Sequence, residues 1–158
     1  MIRHAKSDWS HPGQRDFDRA LNPRGERDAP MMAKLFASFP ERPELIVCST
    51  SMRTRSTADY FLSEMNFSKN GIVFLDEIYE ARWDTLLAIV NALDDSFKTV
   101  AMIGHNPGFS QLSTYLSGEV VEMPTCAIVT IVFEFDHWQM ISGNTGEMIR
   151  FDFPKKHI

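Results

Sequence analysis

Three short apolar runs constrain the fold more than any other feature. They are ELIVC (44–48), GIVFL (71–75) and TVAMIG (99–104). Each is apolar at consecutive positions rather than at alternate ones. That is the pattern of a strand buried on both faces, as in a parallel sheet covered by helices. The stretches between them supply the cover. Residues 25–39 carry Met31, Met32, Leu35, Phe36 and Phe39 at spacings of three and four. Residues 52–65, 84–94 and 108–117 show the same period, and Pro23 and Pro107 suit helix starts. The last third changes character. AIVTIVFEF (127–135), a break at Asp136–His137, and WQMIS (138–142) read as a hairpin. GNTG (143–146) reads as a turn, with a last short strand over 148–153. The expectation is an α/β fold: an α/β/α sandwich on a mostly parallel mixed sheet with a C-terminal hairpin. A length of 158 residues and the absence of any linker fit a single domain over 1–158.

The chain carries 16 Lys and Arg against 21 Asp and Glu, a formal charge of −5. That balance argues against general affinity for nucleic acid or an anionic membrane, while leaving room for a local basic pocket. The longest apolar stretch, Ala127 to Phe133, is too short to span a bilayer. The N-terminus turns polar at once, unlike a secretory leader. Cys48 and Cys126 lie in apolar surroundings with no metal-ligand spacing, as buried fillers do in a reducing compartment. A cytoplasmic protein is expected.

Open α/β sheets bind ligands beyond the carboxyl ends of their strands. The polar residues at those ends are therefore the candidates. Arg3, His4, Lys6 and Ser7 follow a first, very short strand. Ser49, Thr50, Arg53 and Arg55 follow the second. Glu77, Glu80 and Arg82 follow the third, and His105 and Asn106 the fourth. Singly, each has a bland reading as a solvated or turn-bonding residue. Together they bring two histidines and several arginines to one rim.

Those segments resemble a known family. RHAKS (3–7), RALNPRGERDAP (19–30), CSTSMRTRSTA (48–58) and GHNPG (104–108) are similar, in order, to the histidine phosphatase superfamily, and within it to the SixA-type phosphohistidine phosphatase branch. The resemblance implies a phosphoglycerate mutase-like fold and a covalent phosphohistidine intermediate on His4. It assigns phosphate binding to Arg3, Arg53 and His105, with Ser49 and Thr57 completing an S-x-x-x-R-x-x-x-T pattern. Arg55 falls on a variable position and is expected to face elsewhere. No cofactor and no metal are implied.

The chemistry agrees. Guanidinium forks match phosphate oxygens, and helix N-termini after residues 49 and 107 add N–H donors. His4 must be neutral to attack, and adjacent arginines would lower its pKa. A backbone carbonyl would hold its other nitrogen, but the sequence does not identify which. Ser7, Asn22 and Asn106 are further candidates for substrate contact. Asp16, Asp18, Asn22 and Arg24 occupy the long segment after the first motif; a loop bordering substrate is one reading of it and a structural role for each is the simpler one, while Gly25 shapes the approach to the next helix.

Glu80, in EIYEA (77–81), resembles by its Ile-x-Glu setting the position where many superfamily members place a general acid. The substrate is phosphohistidine on a protein or a small phosphorylated metabolite. A non-catalytic phosphate- or partner-binding module is the rival class, which the intact set Arg3, His4, Arg53 and His105 disfavours. One departure stands out. Only Met1 and Ile2 precede Arg3, so the first strand is clipped relative to a usual strand of about five residues. Another segment, or further residues, would have to fill the gap.

Overall fold

The computed structural model describes residues 1–158. Six strands form one sheet: β1 (Ile2–Arg3), β2 (Leu45–Ser49), β3 (Ile72–Leu75), β4 (Val100–Gly104), β5 (Ile128–Phe133) and β6 (Gly146–Asp152). Their spatial order is β3-β2-β4-β1-β5-β6. The first four positions are mutually parallel, while β5 runs antiparallel to both β1 and β6. The helices are α1 (Pro23–Ala37), α2 (Met52–Met65), α3 (Trp83–Asn91) and α4 (Gly108–Ser117). None is long and apolar enough to cross a membrane.

The consecutive apolar runs divide between two cores. Ile46, Cys48, Ala101, Ile103 and Ile128 pack with Ala29, Met32, Phe36 and Phe61 of α1 and α2. Val47, Met102 and Val129 point the other way, onto Leu86, Val90, Phe109, Leu112 and Leu116 of α3 and α4. Successive side chains on a strand face opposite sides, so a strand covered on both faces must be apolar at every position. The result is the three-layer α/β/α sandwich with a mixed sheet.

Local chemistry fixes the helix starts. The Asn22 side chain accepts from the Gly25 N–H at 2.9 Å and Pro23 takes the first turn of α1. Gly25 is required for close approach, because a Cβ there would lie 2.2 Å from the Lys6 carbonyl oxygen. That contact presses α1 against the segment that follows His4.

The C-terminal hairpin differs from the sequence expectation. Its second strand is β6, 146–152, and not 138–142. Residues 138–140 form a 3-10 turn. Side chains from the end of α3 and the loop after it capture that segment's backbone. Asp95 accepts from the Trp138 N–H at 2.9 Å, and Asn91 donates to the carbonyls of Trp138 and Ile141, each at 2.9 Å. The indole N–H of Trp138 is spent on the Phe97 carbonyl. Backbone groups engaged in this way cannot join a ladder.

The first strand is as short as its sequence suggests. Ile2 pairs with Ile103 and Ile128, and the Met1 amino group donates to the Val129 carbonyl at 2.8 Å. Burial pushes that amine down to about 5. No other strand enters between β4 and β5. Beyond Met1 these strands instead flank an apolar cavity of about 340 Å³, lined by Val100, Met102, Ile131, Phe133 and Trp138 among others. This cavity lies at the opposite end of the sheet from the candidate site.

Candidate active site

The carboxyl ends of β1, β2 and β4 and the first turn of α2 meet at one point. His4 follows β1, His105 follows β4, and Arg53 is the second residue of α2. The two imidazoles lie 5.4 Å apart, tilted by 55°. His4, Arg53 and His105 are all buried.

His4 is held by backbone on two sides. Its N–H donates to the Gly104 carbonyl and its own carbonyl accepts from Cys126. The ring Nδ1 lies 2.7 Å from the Ala5 carbonyl oxygen. A carbonyl can only accept, so Nδ1 carries the proton and Nε2 presents a lone pair. Burial pushes the His4 pKa down to about 3, more strongly than the positive neighbours Arg53 and Arg3 do. The sequence pointed to the arginines, but desolvation is the larger cause.

Arg53 is a fully buried guanidinium with every arm engaged. Nε points at His4 Nε2 across 3.4 Å, a weak contact that leaves the lone pair largely unspent. Nη1 donates to the Asp16 carbonyl at 2.8 Å. Nη2 meets the Asp16 carboxylate at 3.0 Å, the Glu80 carboxylate at 2.9 Å and His105 Nδ1 at 3.3 Å. His105 therefore accepts at Nδ1 and donates from Nε2 to Ser49 Oγ, 2.8 Å away. Burial and then Arg53 push the His105 pKa down to about 3, so it is neutral in the free protein. Thr57, one turn beyond Arg53, accepts the Ala5 N–H at 3.0 Å and donates to the Arg53 carbonyl. The Ser49, Arg53 and Thr57 pattern thus serves His105, the anion fork and the residue after His4 in turn.

Arg3 donates from Nη1 to the Met123 carbonyl at 2.9 Å. Its Nε–H is buried without any partner. Burial and the charge of Arg53 lower its pKa. An unspent buried guanidinium N–H beside a second guanidinium is a demand for an anion.

A family model described as the histidine phosphatase superfamily (branch 1) matches residues 1–107. The chain belongs to the histidine phosphatase superfamily. Members of this superfamily are phosphatases. A crystal structure assigned as the phosphohistidine phosphatase SixA of Agrobacterium tumefaciens is similar with a TM-score of 0.83, at 32% identity, covering 97% of this chain and 95% of that one. The protein histidine phosphatase SixA complexed with tungstate shares the fold at a TM-score of 0.82 and 20% identity, over 98% and 96% of the two chains. An uncharacterised protein of Mycobacterium leprae is 26% identical over 167 residues, covering 98% of this chain and 100% of that one.

Within this superfamily fold the remaining candidates take different positions. Glu80 joins the site through Arg53 and stands 4.0 Å from His105 Nδ1, with a left-handed backbone at φ 53. Gly108 lets the start of α4 pack on that loop, since a Cβ would meet the Ala81 carbonyl oxygen at 2.2 Å.

Ser7 is buried and accepts from Arg19, so its hydroxyl supports that arginine. Asn22 is spent as the cap of α1. Asn106 follows His105, but its amide donates to the Met123 carbonyl and accepts from Ser110. Each of these three side chains thus bonds to the scaffold around the pocket. Arg55 faces away, with Nε on the Thr50 carbonyl and its guanidinium over Phe74.

The structure also adds residues to the site. Asp16, read from the sequence as structural, ties Arg53 to Arg19 and to the Tyr79 hydroxyl. Burial would raise the Asp16 pKa, but hydrogen bonds from Tyr79 and Arg19 and the charge of Arg53 outweigh it and hold the carboxyl well below the usual range. The Tyr79 hydroxyl is pushed up to about 12 by burial and by its bond to Asp16. Its ring stands edge-on to His105 at 5.4 Å. The i, i+3 pairing of Asp16 with Arg19 beside RALNPRG was the one available sequence signal for this network.

Proposed function

We propose that the chain is a phosphohydrolase acting through a phosphohistidine intermediate on His4, and that its substrate is phosphohistidine on a protein. The observation that carries this reading is the His4 tautomer. Nδ1–H is locked on the Ala5 carbonyl, and the Nε2 lone pair faces the buried guanidinium of Arg53, with the half-buried Arg3 beside it carrying an unpaired Nε–H. Mere anion binding needs no such neutral nucleophile.

In the first step the Nε2 lone pair forms a bond to phosphorus. The bond from phosphorus to the substrate imidazole breaks, and its electron pair returns to that ring nitrogen, so that a ring protonated on its other nitrogen leaves as neutral imidazole. Arg3 Nε and Arg53 would hold equatorial oxygens as charge shifts onto them, and His105 would join them on taking up a proton at Nδ1, a charge that the arriving phosphate favours. Positive charge comes from these side chains, so no metal is invoked. Water then attacks phosphorus, the Nε2–phosphorus bond breaks with its electron pair returning to Nε2, and the phosphate released sheds the water's proton to solvent. The Glu80 carboxylate, about half exposed, must leave Arg53 as phosphate arrives or meet it protonated.

The Glu80 position also supports a second reading. A carboxyl beside Arg53 and His105 could protonate a basic alkoxide leaving from a small phosphorylated metabolite. Imidazole, with a conjugate acid of pKa about 6.5, has much less need of that help. The sheet and its two helix layers, 1–158, are read as one catalytic domain. The free, buried Cys48 and Cys126 support a reducing, cytoplasmic setting.

Steady-state assays with a phosphohistidine protein and with sugar phosphates separate the readings. The proposal expects turnover of phosphohistidine by the wild type and none by His4→Ala. Preference for sugar phosphates would favour the second reading, and activity in His4→Ala would overturn both.

A further inference from the structure

Trp9 lies near the phosphate pocket with its side chain largely in solvent, 70% exposed. It is nonetheless fixed. The Arg19 guanidinium stacks on the indole, 3.5 Å from the ring centroid. Arg19 is itself buried, held by Ser7 and by two bonds to Asp16. Asp16 in turn holds Arg53. A short chain of contacts therefore connects an exposed indole rigidly to the anion fork.

This indole is not alone. Met52, one residue before Arg53 on the first turn of α2, is 45% exposed. Val120, 87% exposed, lines an open groove with Asn106 and Pro107, directly after His105. Exposed apolar side chains thus stand on three segments that also carry residues of the site or their immediate neighbours: the loop after His4, the first turn of α2, and the groove that starts at Asn106. The hydroxyls of a sugar phosphate gain little from such side chains. A protein surface with an apolar patch beside its phosphorylated residue would bury them. Rigid tryptophans are enriched among the few residues that dominate such interfaces, because little conformational entropy is lost on binding.

We infer that Trp9 is the docking anchor through which this site selects a folded protein substrate, contacting an apolar patch next to the phosphohistidine. The inference rests on the phosphohistidine reading above.

The experiment compares kcat/KM on a phosphohistidine protein with that on phosphoimidazole, for the wild type, Trp9→Ala and Trp9→Phe. Trp9→Ala is expected to lower the ratio of protein to phosphoimidazole activity by about ten- to thirtyfold, chiefly through KM, the range set by an interface hot spot. Trp9→Phe, which keeps an aromatic face, recovers part of that ratio. An unchanged ratio overturns the inference, whether both activities hold or both fall; a joint fall means Trp9 acts through Arg19 on the chemistry. In both cases wild-type activity on phosphohistidine leaves the proposed function standing. A wild type inactive on the phosphohistidine protein but active on sugar phosphates overturns the proposed function and this inference with it.

Discussion

His4 Nε2 and Arg53 Nε face each other across 3.4 Å in a buried pocket. The contact is too long to immobilise the lone pair and close enough to aim it. A buried cation beside a neutral imidazole disfavours a second positive charge there and, in the proposed reaction, attracts the anion that His4 would attack.

Arg53→Lys should not rescue this arrangement. Lysine offers a point charge where the pocket uses three separate arms toward His4, Asp16 and Glu80. The expected loss in kcat/KM is about 10²–10³, the usual cost of removing an oriented donor to transition-state charge. Kinetics within threefold of wild type would show that the fork geometry is dispensable.

Thr57→Val tests the support beneath His4. The change keeps the shape but removes the acceptor for the buried Ala5 N–H and the donor to Arg53. An orphaned buried N–H costs about 1–3 kcal/mol. Urea denaturation should show that loss with an unaltered m-value, together with a lower kcat.

Acid should unfold the free protein early. His4 and His105 have folded pKa values of about 3 against 6.5 for an ordinary imidazole. Between those values the unfolded chain binds more protons than the folded one, so stability falls as pH falls from about 6.5. Thermal denaturation from pH 7.5 to 4.5 should show Tm declining over that window, with a shallower decline in His105→Gln. A Tm independent of pH down to 4.5 would contradict neutral burial of the two rings.

Glu80→Gln separates leaving groups. If the carboxyl donates a proton, alkyl phosphates should lose about 10²–10⁴ in kcat and phosphohistidine far less. Equal, small effects on both would remove Glu80 from the chemistry and leave it a surface partner of Arg53.

Much of this was legible in the residues. Unbroken apolar runs announced strands covered on both sides, and α2 and α4 begin and end where their periodicity does. Strand ends then brought His4, Arg53 and His105 together, because the topology of a parallel sheet places those ends side by side. Other features were out of reach. Capture of 138–140 by Asn91 and Asp95 depends on contacts more than 40 residues apart, and local pattern cannot register them. Asp16 and Tyr79 are 63 residues apart and meet only once the loop before α1 folds over the pocket. Ser7, Asn22 and Asn106 looked available because sequence shows which groups are polar, not which are already bonded.

The most direct measurement traps the intermediate. Wild-type protein is mixed with a phosphohistidine protein, quenched rapidly in base, digested, and analysed by mass spectrometry for phosphoryl transfer. The account predicts an acid-labile, base-stable phosphoryl group on the peptide bearing His4, formed at a rate no slower than turnover and absent from His4→Ala. Full turnover with the phosphoryl group on another residue, or on none, would contradict it.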